Sequence, residues 1–255
     1  MKPLPKLMVA PNGARKTKAD HPALPMTLEE VVETAVACHA AGADGLHLHL
    51  RDAEGRHILD AGLYREALAE LHRAVPDMLL QITTEAVGMY SAAQQRAIVE
   101  EVRPQAVSIS LAEMLEGTDL DTAAAFYAKC AKDQIAVQHI LYGAQDLTAM
   151  SALLDRGGLE TAPLQLLFVL GRYTAGQESA PSDLDPFIRW MGRNCASAEW
   201  GVCAFGKRET ECLTYAHGKG GNVRIGFENS FWNSDGTVAT SNAERVLDFR
   251  RVSEA

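Results

Sequence analysis

Two histidines separated by a single residue, His47 and His49, form the pattern in this sequence that is best suited to chemistry. They alternate with leucines, which predicts a buried strand whose alternate side chains point to one face. Two imidazoles on one face can bind a metal ion, although both can also be ordinary core residues. Arg51 continues this face, and a polar segment begins at Asp52. We therefore predict a metal site at the carboxyl end of a strand.

The rest of the chain alternates short apolar runs with segments of helical period, as a parallel α/β fold requires. We predict eight strands, at residues 7–10, 45–51, 78–83, 106–110, 135–141, 165–170, 199–205 and 222–227. Thr27, Ser91 and Ser241 each precede a Glu or Gln by three residues, which predicts capped helix starts. The helix after the fifth strand is expected to end at residues 156–158. Eight strand–helix units predict one (β/α)8 TIM barrel spanning residues 1–255 as a single domain.

Composition narrows the classes of function. Of the 255 residues, 47% are hydrophobic and 22% charged, and the net charge of -9 gives no basic surface for nucleic acid or an anionic membrane. The five cysteines are scattered and never spaced as Cys-x-x-Cys, so we predict free thiols in a reducing compartment. No apolar run is long enough to span a bilayer, and we expect a cytoplasmic protein.

Polar residues follow most of the predicted strands. In a barrel these strand ends meet at one mouth, where we expect Asn12, Arg15, Thr83, Ser108, Ser110, His139, Arg172, Lys207, Arg224, Glu228 and Asn229. The eighth strand is two places from the second, so Glu228 can reach a metal that the histidines hold. Two histidines and one glutamate leave a fourth position open, which is typical of catalytic zinc, and nickel or cobalt also suits these ligands.

Four segments carry a family resemblance, in the same order over nearly the whole chain. They are the loop from Asn12-Gly13 to Leu24-Pro25, His-Leu-His-Leu-Arg-Asp at 47–52, Phe-Val-Leu-Gly at 168–171 and Arg-Ile-Gly-Phe-Glu-Asn at 224–229. Together they resemble the β-keto acid cleavage enzymes. The resemblance implies a zinc-dependent (β/α)8 barrel, commonly a homotetramer. It also implies a reaction of a β-keto acid with acetyl-CoA that gives acetoacetate and a new CoA thioester.

The resemblance also implies roles for individual residues. The metal ligands would be His47, His49 and Glu228, and Arg224 would be the arginine of the reactive centre. Thr83 stands where the family has a serine, and Asn229 stands where it has an aspartate that assists deprotonation. An asparagine cannot accept that proton. We therefore expect either low activity or another base, with three candidates in Glu85, Glu113 and His139.

The sequence also predicts substrate-binding residues and leaves two other functions open. We predict that the substrate is bound by Asn12, Arg15, Ser108 and Lys207. A metal-dependent hydrolase of the amidohydrolase type also has His-x-His in such a barrel, but it requires further metal-binding histidines and an aspartate after the eighth strand. A third hypothesis is a degenerate barrel that binds a small acid or acyl-CoA without turning it over. Asn229, which replaces the aspartate of the family, is the feature that favours this hypothesis.

Overall fold

Parallel strands close into a barrel in the computed structural model, which describes residues 2–157, 159 and 164–254. The strands within these residues are β1 (Leu7–Val9), β2 (Gly45–Leu48), β3 (Leu50–Arg51), β4 (His57–Ile58), β5 (Leu79–Thr83), β6 (Ala106–Ser110), β7 (Ala136–Leu141), β8 (Gln165–Leu170), β9 (Glu199–Ala204) and β10 (Asn222–Ile225). All except β3 and β4 belong to the barrel, in the order β1-β10-β9-β8-β7-β6-β5-β2. The predicted (β/α)8 barrel is confirmed.

A helix follows each barrel strand. In the described residues the helices are α1 (Leu28–Ala40), α2 (Ala61–Ala74), α3 (Ala92–Val102), α4 (Leu111–Leu115), α5 (Leu120–Lys132), α6 (Ala144–Asp155), α7 (Asp185–Asn194), α8 (Glu209–Gly218) and α9 (Asn242–Ser253). Thr27 and Ser91 form the predicted capping boxes, and the Ser241 side chain accepts from the Glu244 amide. Gly158, expected at the end of α6, lies outside the described residues.

The core lies between the barrel strands and the surrounding helices. Every residue of β8 is buried, as expected for a parallel strand covered on both faces. On α1 the buried residues Val31, Ala35 and Cys38 recur at helical spacing and face the barrel. The five cysteines are buried and free, as predicted. None of the described helices has the length and apolar character needed to cross a membrane.

The second strand is shorter than predicted. It ends at Leu48, after which β3 and β4 form an antiparallel hairpin outside the barrel. The Asp52 side chain accepts from the Arg56 amide at 2.8 Å and closes the turn of this hairpin. Arg51 therefore does not continue the face of the histidines. Its guanidinium instead donates to the backbone carbonyls of Gly13 and Lys16, which fixes the first loop.

The last strand also ends early, at Ile225 rather than Phe227. Gly226 follows with φ of 138°, and a Cβ there would lie 2.5 Å from the Ala10 carbonyl oxygen. Only glycine allows this close approach of the two chain segments. The chain then turns, and the Glu228 amide donates to the same Ala10 carbonyl at 3.1 Å. This turn carries Glu228 to the mouth of the barrel.

Candidate active site

Three predicted ligands, His47, His49 and Glu228, meet at the barrel mouth. The two histidine Nε2 atoms are 3.1 Å apart, and Glu228 Oε2 lies 3.7 Å from His47 Nε2 and 3.5 Å from His49 Nε2. Tetrahedral zinc with bonds of about 2.0–2.1 Å requires ligand atoms roughly 3.3 Å apart. Glu228 Oε2 is buried and makes no hydrogen bond in the described part of the chain. The cluster therefore fits a zinc-sized cation in size and in chemistry.

Glutamines beneath the cluster fix the orientation of His47. Its Nδ1 donates to Gln81 Oε1 at 2.8 Å, and Gln81 Nε2 donates to Gln138 Oε1 at 3.0 Å. Gln138 in turn donates to the Leu166 carbonyl. With its proton on Nδ1, His47 presents the lone pair of Nε2 to the cluster. Burial lowers the pKa of His47 well below its usual value, and the nearby Arg224 charge adds to this effect. The ring is therefore neutral, as a metal ligand must be.

Arg224 is the buried cation of the cluster. Its NH2 donates to Glu228 Oε1 at 3.1 Å. Burial raises the pKa of Glu228, but Arg224 and the two histidines outweigh burial and hold that pKa well below its usual range. Glu228 is therefore ionised and available to a metal. The Nε and Nη1 nitrogens of Arg224 are buried and have no partner among the described residues, so their three N–H groups remain for a ligand.

The first loop packs directly on the cluster of His47, His49 and Glu228. Asn12 Nδ2 donates to the Pro25 and His49 carbonyls, which ties the loop to the end of β2. Gly13 has φ of 62°, and a Cβ there would lie 2.6 Å from Glu228 Cγ. Glycine is thus required both by the backbone conformation and by the glutamate that crosses it. The loop after Gly13 begins beside the metal ligands.

Hydroxyl groups at the ends of β5 and β6 also line the cavity. Thr83 Oγ1 accepts from the Glu85 amide at 3.0 Å and donates to none of the described residues, so its proton is available to a ligand. Ser108 Oγ lies 3.5 Å from His47 Nδ1. Glu85 approaches His49 Nδ1 at 3.9 Å and Arg172 NH2 at 3.7 Å. This side of the cavity offers donors and acceptors to a polar ligand.

Most of the predicted site residues converge on one cavity. Its lining includes Asn12, Arg15, His47, His49, Thr83, Ser108, Arg224 and Glu228. Glu85 and Glu113 also line it, and burial raises the pKa of Glu113 to about 7. Geometry thus brings together the predicted ligands, the predicted arginine and two of the three candidate bases.

Three residues lie elsewhere. Lys207 is not part of the cavity lining, and its Nζ lies 4.3 Å from the centre of the Trp232 ring. Asn229 is also absent from the lining; its side-chain oxygen and nitrogen are buried and have no hydrogen-bond partner among the described residues. His139 packs edge-on against Tyr127 of α5, with ring centres 4.5 Å apart. It therefore faces the helices, and its proposed role as a base at the mouth was wrong.

Sequence reasoning missed several residues that belong to the site. Gln81 orients His47, Lys16 lines the cavity, and Tyr142 lines it from beyond β7. Gln81 had a readable signal, because it is a polar residue in an apolar strand and lies two positions before Thr83 on the same face. His57 of the hairpin packs against His49 with ring centres 5.1 Å apart. That contact depends on the hairpin, which the sequence pattern did not indicate.

Comparison with known proteins places the chain in a family. The sequence matches the family described as beta-keto acid cleavage enzyme over residues 6–255. The chain belongs to this family. This membership agrees with the resemblance of the four sequence segments.

Two relatives of this β-keto acid cleavage enzyme family member have informative names. The chain is 26% identical to the 3-keto-5-aminohexanoate cleavage enzyme of Acetoanaerobium sticklandii, over 95% of this chain and 89% of that protein. It is 25% identical to the 3,5-dioxohexanoate:acetyl-CoA acetone transferase of Paraburkholderia graminis, over 96% and 88%. A solved ternary complex of ObcA with a C4-CoA adduct and oxalate has a TM-score of 0.73 at 16% identity. The alignment covers 91% of this chain but only 64% of ObcA, and it supports the fold alone.

Proposed function

We propose that this chain is a zinc-dependent β-keto acid cleavage enzyme, which condenses a β-keto acid with acetyl-CoA to give acetoacetate and a new CoA thioester. The observation that carries the proposal is the cluster of His47, His49 and Glu228 at the cavity of a chain that matches this family. The names of both relatives, a keto acid cleavage enzyme and an acetyl-CoA transferase, support the same substrates. Nickel or cobalt also suits this ligand set.

The residues around the cluster have defined parts in this chemistry. A zinc ion held by the three ligands would act as a Lewis acid on the carbonyl group of the keto acid. Arg224 holds Glu228 in its ionised form, and the three N–H groups that have no partner among the described residues suit an oxygen on which negative charge develops. The Thr83 hydroxyl, whose proton is free, orients a polar group of the substrate. Asn12 and Ser108 complete the polar wall of the cavity.

Proton transfer requires a group other than Asn229, which has no place in the cavity lining. Among the described residues, the carboxylates that line the cavity apart from Glu228 are Glu85 and Glu113. Burial raises the pKa of Glu113 to about 7, which suits exchange of a proton near neutral pH. We therefore assign the role of base to this pair of glutamates.

The test is to incubate metal-loaded protein with acetyl-CoA and a panel of β-keto acids and to measure acetoacetate. We expect release that stops after chelation and returns with zinc. His47→Ala should lose both metal and activity. Arg224→Ala should keep the metal but lose about 10²- to 10³-fold in turnover, as for other groups that stabilise transition-state charge. Arg65→Ala, which removes an exposed arginine of α2, is the matched control and should resemble the parent.

Two results would contradict the proposal. Elemental analysis that finds no stoichiometric metal, or unchanged metal content in His47→Ala, would remove the metal site. An absence of acetoacetate from every keto acid, with zinc bound, would instead support a barrel that only binds its ligand or a hydrolase.

We further propose that residues 1–255 form a single domain that works in the cytoplasm as a homotetramer. The tetramer is what the resemblance to the family implies, and the cytoplasmic location is supported by free, buried cysteines. Light scattering of the purified protein should give four times the mass of the chain, and a monomeric mass would reject the assembly.

A further inference from the structure

Positive charge outnumbers negative charge around the cavity. Among the residues that the structure describes, three glutamates line it, against four cationic side chains: Arg15, Lys16, Arg172 and Arg224. Arg224 pairs with Glu228, and Arg172 lies within 4 Å of Glu85. Arg15 and Lys16 make no ion pair in the part of the chain that the structure describes. The cavity therefore has spare positive charge in a protein whose net charge is -9.

Lys16 is the unpaired cation that lies next to the metal ligands. Its Nζ donates to the Phe227 carbonyl at 2.9 Å, and Phe227 directly precedes the ligand Glu228. The ammonium also lies 4.4 Å from the centre of the Phe231 ring. Arg51 holds the Lys16 carbonyl at 3.0 Å, so the backbone that carries this lysine is fixed. A lysine ammonium has three donors, and two of them remain after the bond to Phe227.

The environment of Lys16 differs from that of its neighbour Lys18. Lys18 is exposed and pairs with Glu30 at 2.7 Å. Lys16 is half-buried, and burial lowers its pKa although Glu209 and Glu228 act in the opposite direction. A cation that loses water without gaining a carboxylate partner destabilises the free protein. A negatively charged group of a ligand would offset that cost.

We propose that Lys16 binds a second carboxylate of the substrate, so that the preferred β-keto acid is a dicarboxylate. This inference rests on the proposed function, because the first carboxylate and the ketone must occupy the reactive centre beside Arg224. The second carboxylate then accepts from the free donors of Lys16. Arg15, which is exposed and unpaired at the same cavity, adds positive charge outside Lys16. Lys16 is thus a specificity-determining residue.

The kinetic test compares two β-keto acids of equal chain length, one ending in a methyl group and one in a carboxylate. The parent should favour the dicarboxylate in kcat/KM. Lys16→Met should reduce that preference on the order of 10- to 100-fold, the range for a hydrogen bond to a charged group. Lys16→Arg should retain most of it. Lys18→Met removes a charge two residues away and should leave the preference unchanged.

A binding measurement separates this role from a structural one. Calorimetry on the zinc-loaded protein would use adipate and hexanoate, which are unreactive and of equal length. Adipate should bind more tightly to the parent and to Lys16→Arg, and Lys16→Met should lose the difference while binding zinc normally.

The outcomes distinguish this inference from the proposed function. A parent that releases acetoacetate but prefers the methyl-ended acid overturns the dicarboxylate while the function stands. An effect of Lys16→Met on the KM of acetyl-CoA alone also overturns it and assigns the lysine to the phosphates of CoA. A parent that turns over no keto acid contradicts the proposed function itself.

Discussion

Replacing Gln81 with leucine should weaken zinc binding, although Gln81 is not a ligand. Its Oε1 is the acceptor for His47 Nδ1 at 2.8 Å, and that bond keeps the ligand nitrogen unprotonated. Ser108 Oγ, at 3.5 Å, is too distant to replace it. Loss of such a supporting contact lowers metal affinity by about 10- to 100-fold, or roughly 1.4–2.7 kcal/mol. Leaving a buried N–H unpaired costs about 1–3 kcal/mol, which is the same range.

The assay is competition for zinc between the protein and a chromophoric chelator. Gln81→Glu should bind zinc at least as tightly as the parent, because a carboxylate is a stronger acceptor for the imidazole N–H. Gln165→Leu is the matched control. It removes a buried barrel glutamine that bonds to the Lys2 carbonyl and to Glu199, away from the cluster.

Two results with these variants would contradict the prediction. If Gln81→Leu binds zinc as tightly as the parent, the hydrogen bond does not set the state of His47 and the reasoning is wrong. If Gln165→Leu weakens zinc binding equally, the loss reflects the stability of the barrel and not the ligand.

Three further changes test other features of the site. Asn229→Asp places a carboxylate where the parent side chain is buried and has no partner among the described residues. It should therefore lower both the melting temperature and the turnover. A gain in turnover would instead show that an aspartate at this position acts as a base and that Asn229 has weakened it. Gly13→Ala should lower the free energy of unfolding by about 1–2 kcal/mol, because the residue has a positive φ. It should also weaken zinc binding, because the new Cβ would displace Glu228. A melting temperature and a zinc affinity equal to those of the parent would contradict both expectations. Burial raises the pKa of Glu113 to about 7, so the carboxyl ionises at a lower pH in the unfolded chain than in the folded one. The contribution of Glu113 to stability is therefore present at low pH and is lost as the pH rises towards about 7. The side chain that Glu113→Gln introduces stays neutral at every pH. The melting temperature of this variant should therefore rise relative to that of the parent as the pH increases from about 5 to about 7. If the difference between the two melting temperatures does not change with pH, the raised pKa is refuted.

The sequence predicted the barrel because its signals are local. Strands of alternating or continuous apolar residues and the caps at Thr27, Ser91 and Ser241 depend on neighbours within a few positions. The candidate metal ligands could also be found from the sequence, because His47 and His49 alternate on one strand and barrel closure brings Glu228 near them. The register and the closure of the barrel bring these distant parts of the chain together.

The failures have a common physical cause, which is dependence on distant contacts. The alternating pattern of the second strand continues through Arg51, yet the chain leaves the barrel after Leu48 and pairs as a hairpin, and Arg51 bonds to the first loop. Lys207 lies over Trp232, and His139 packs on Tyr127. Helix α4, which lies between β6 and α5, is an additional helix that the eight predicted strand–helix units did not include.

The positions of the three ligands in the chain bear on how the protein matures. His47 and His49 lie at the end of β2, whereas Glu228 follows β10, and β1 lies between the two in the barrel. A growing chain therefore exposes two ligands early and the third only when the last strand has been made. Glu228 reaches the histidines only after β10 pairs with β1, so a metal held by all three residues would be captured as the ring of strands closes. Such an ion would stabilise the closed form by mass action, and cells short of that metal would accumulate the open, more easily degraded chain.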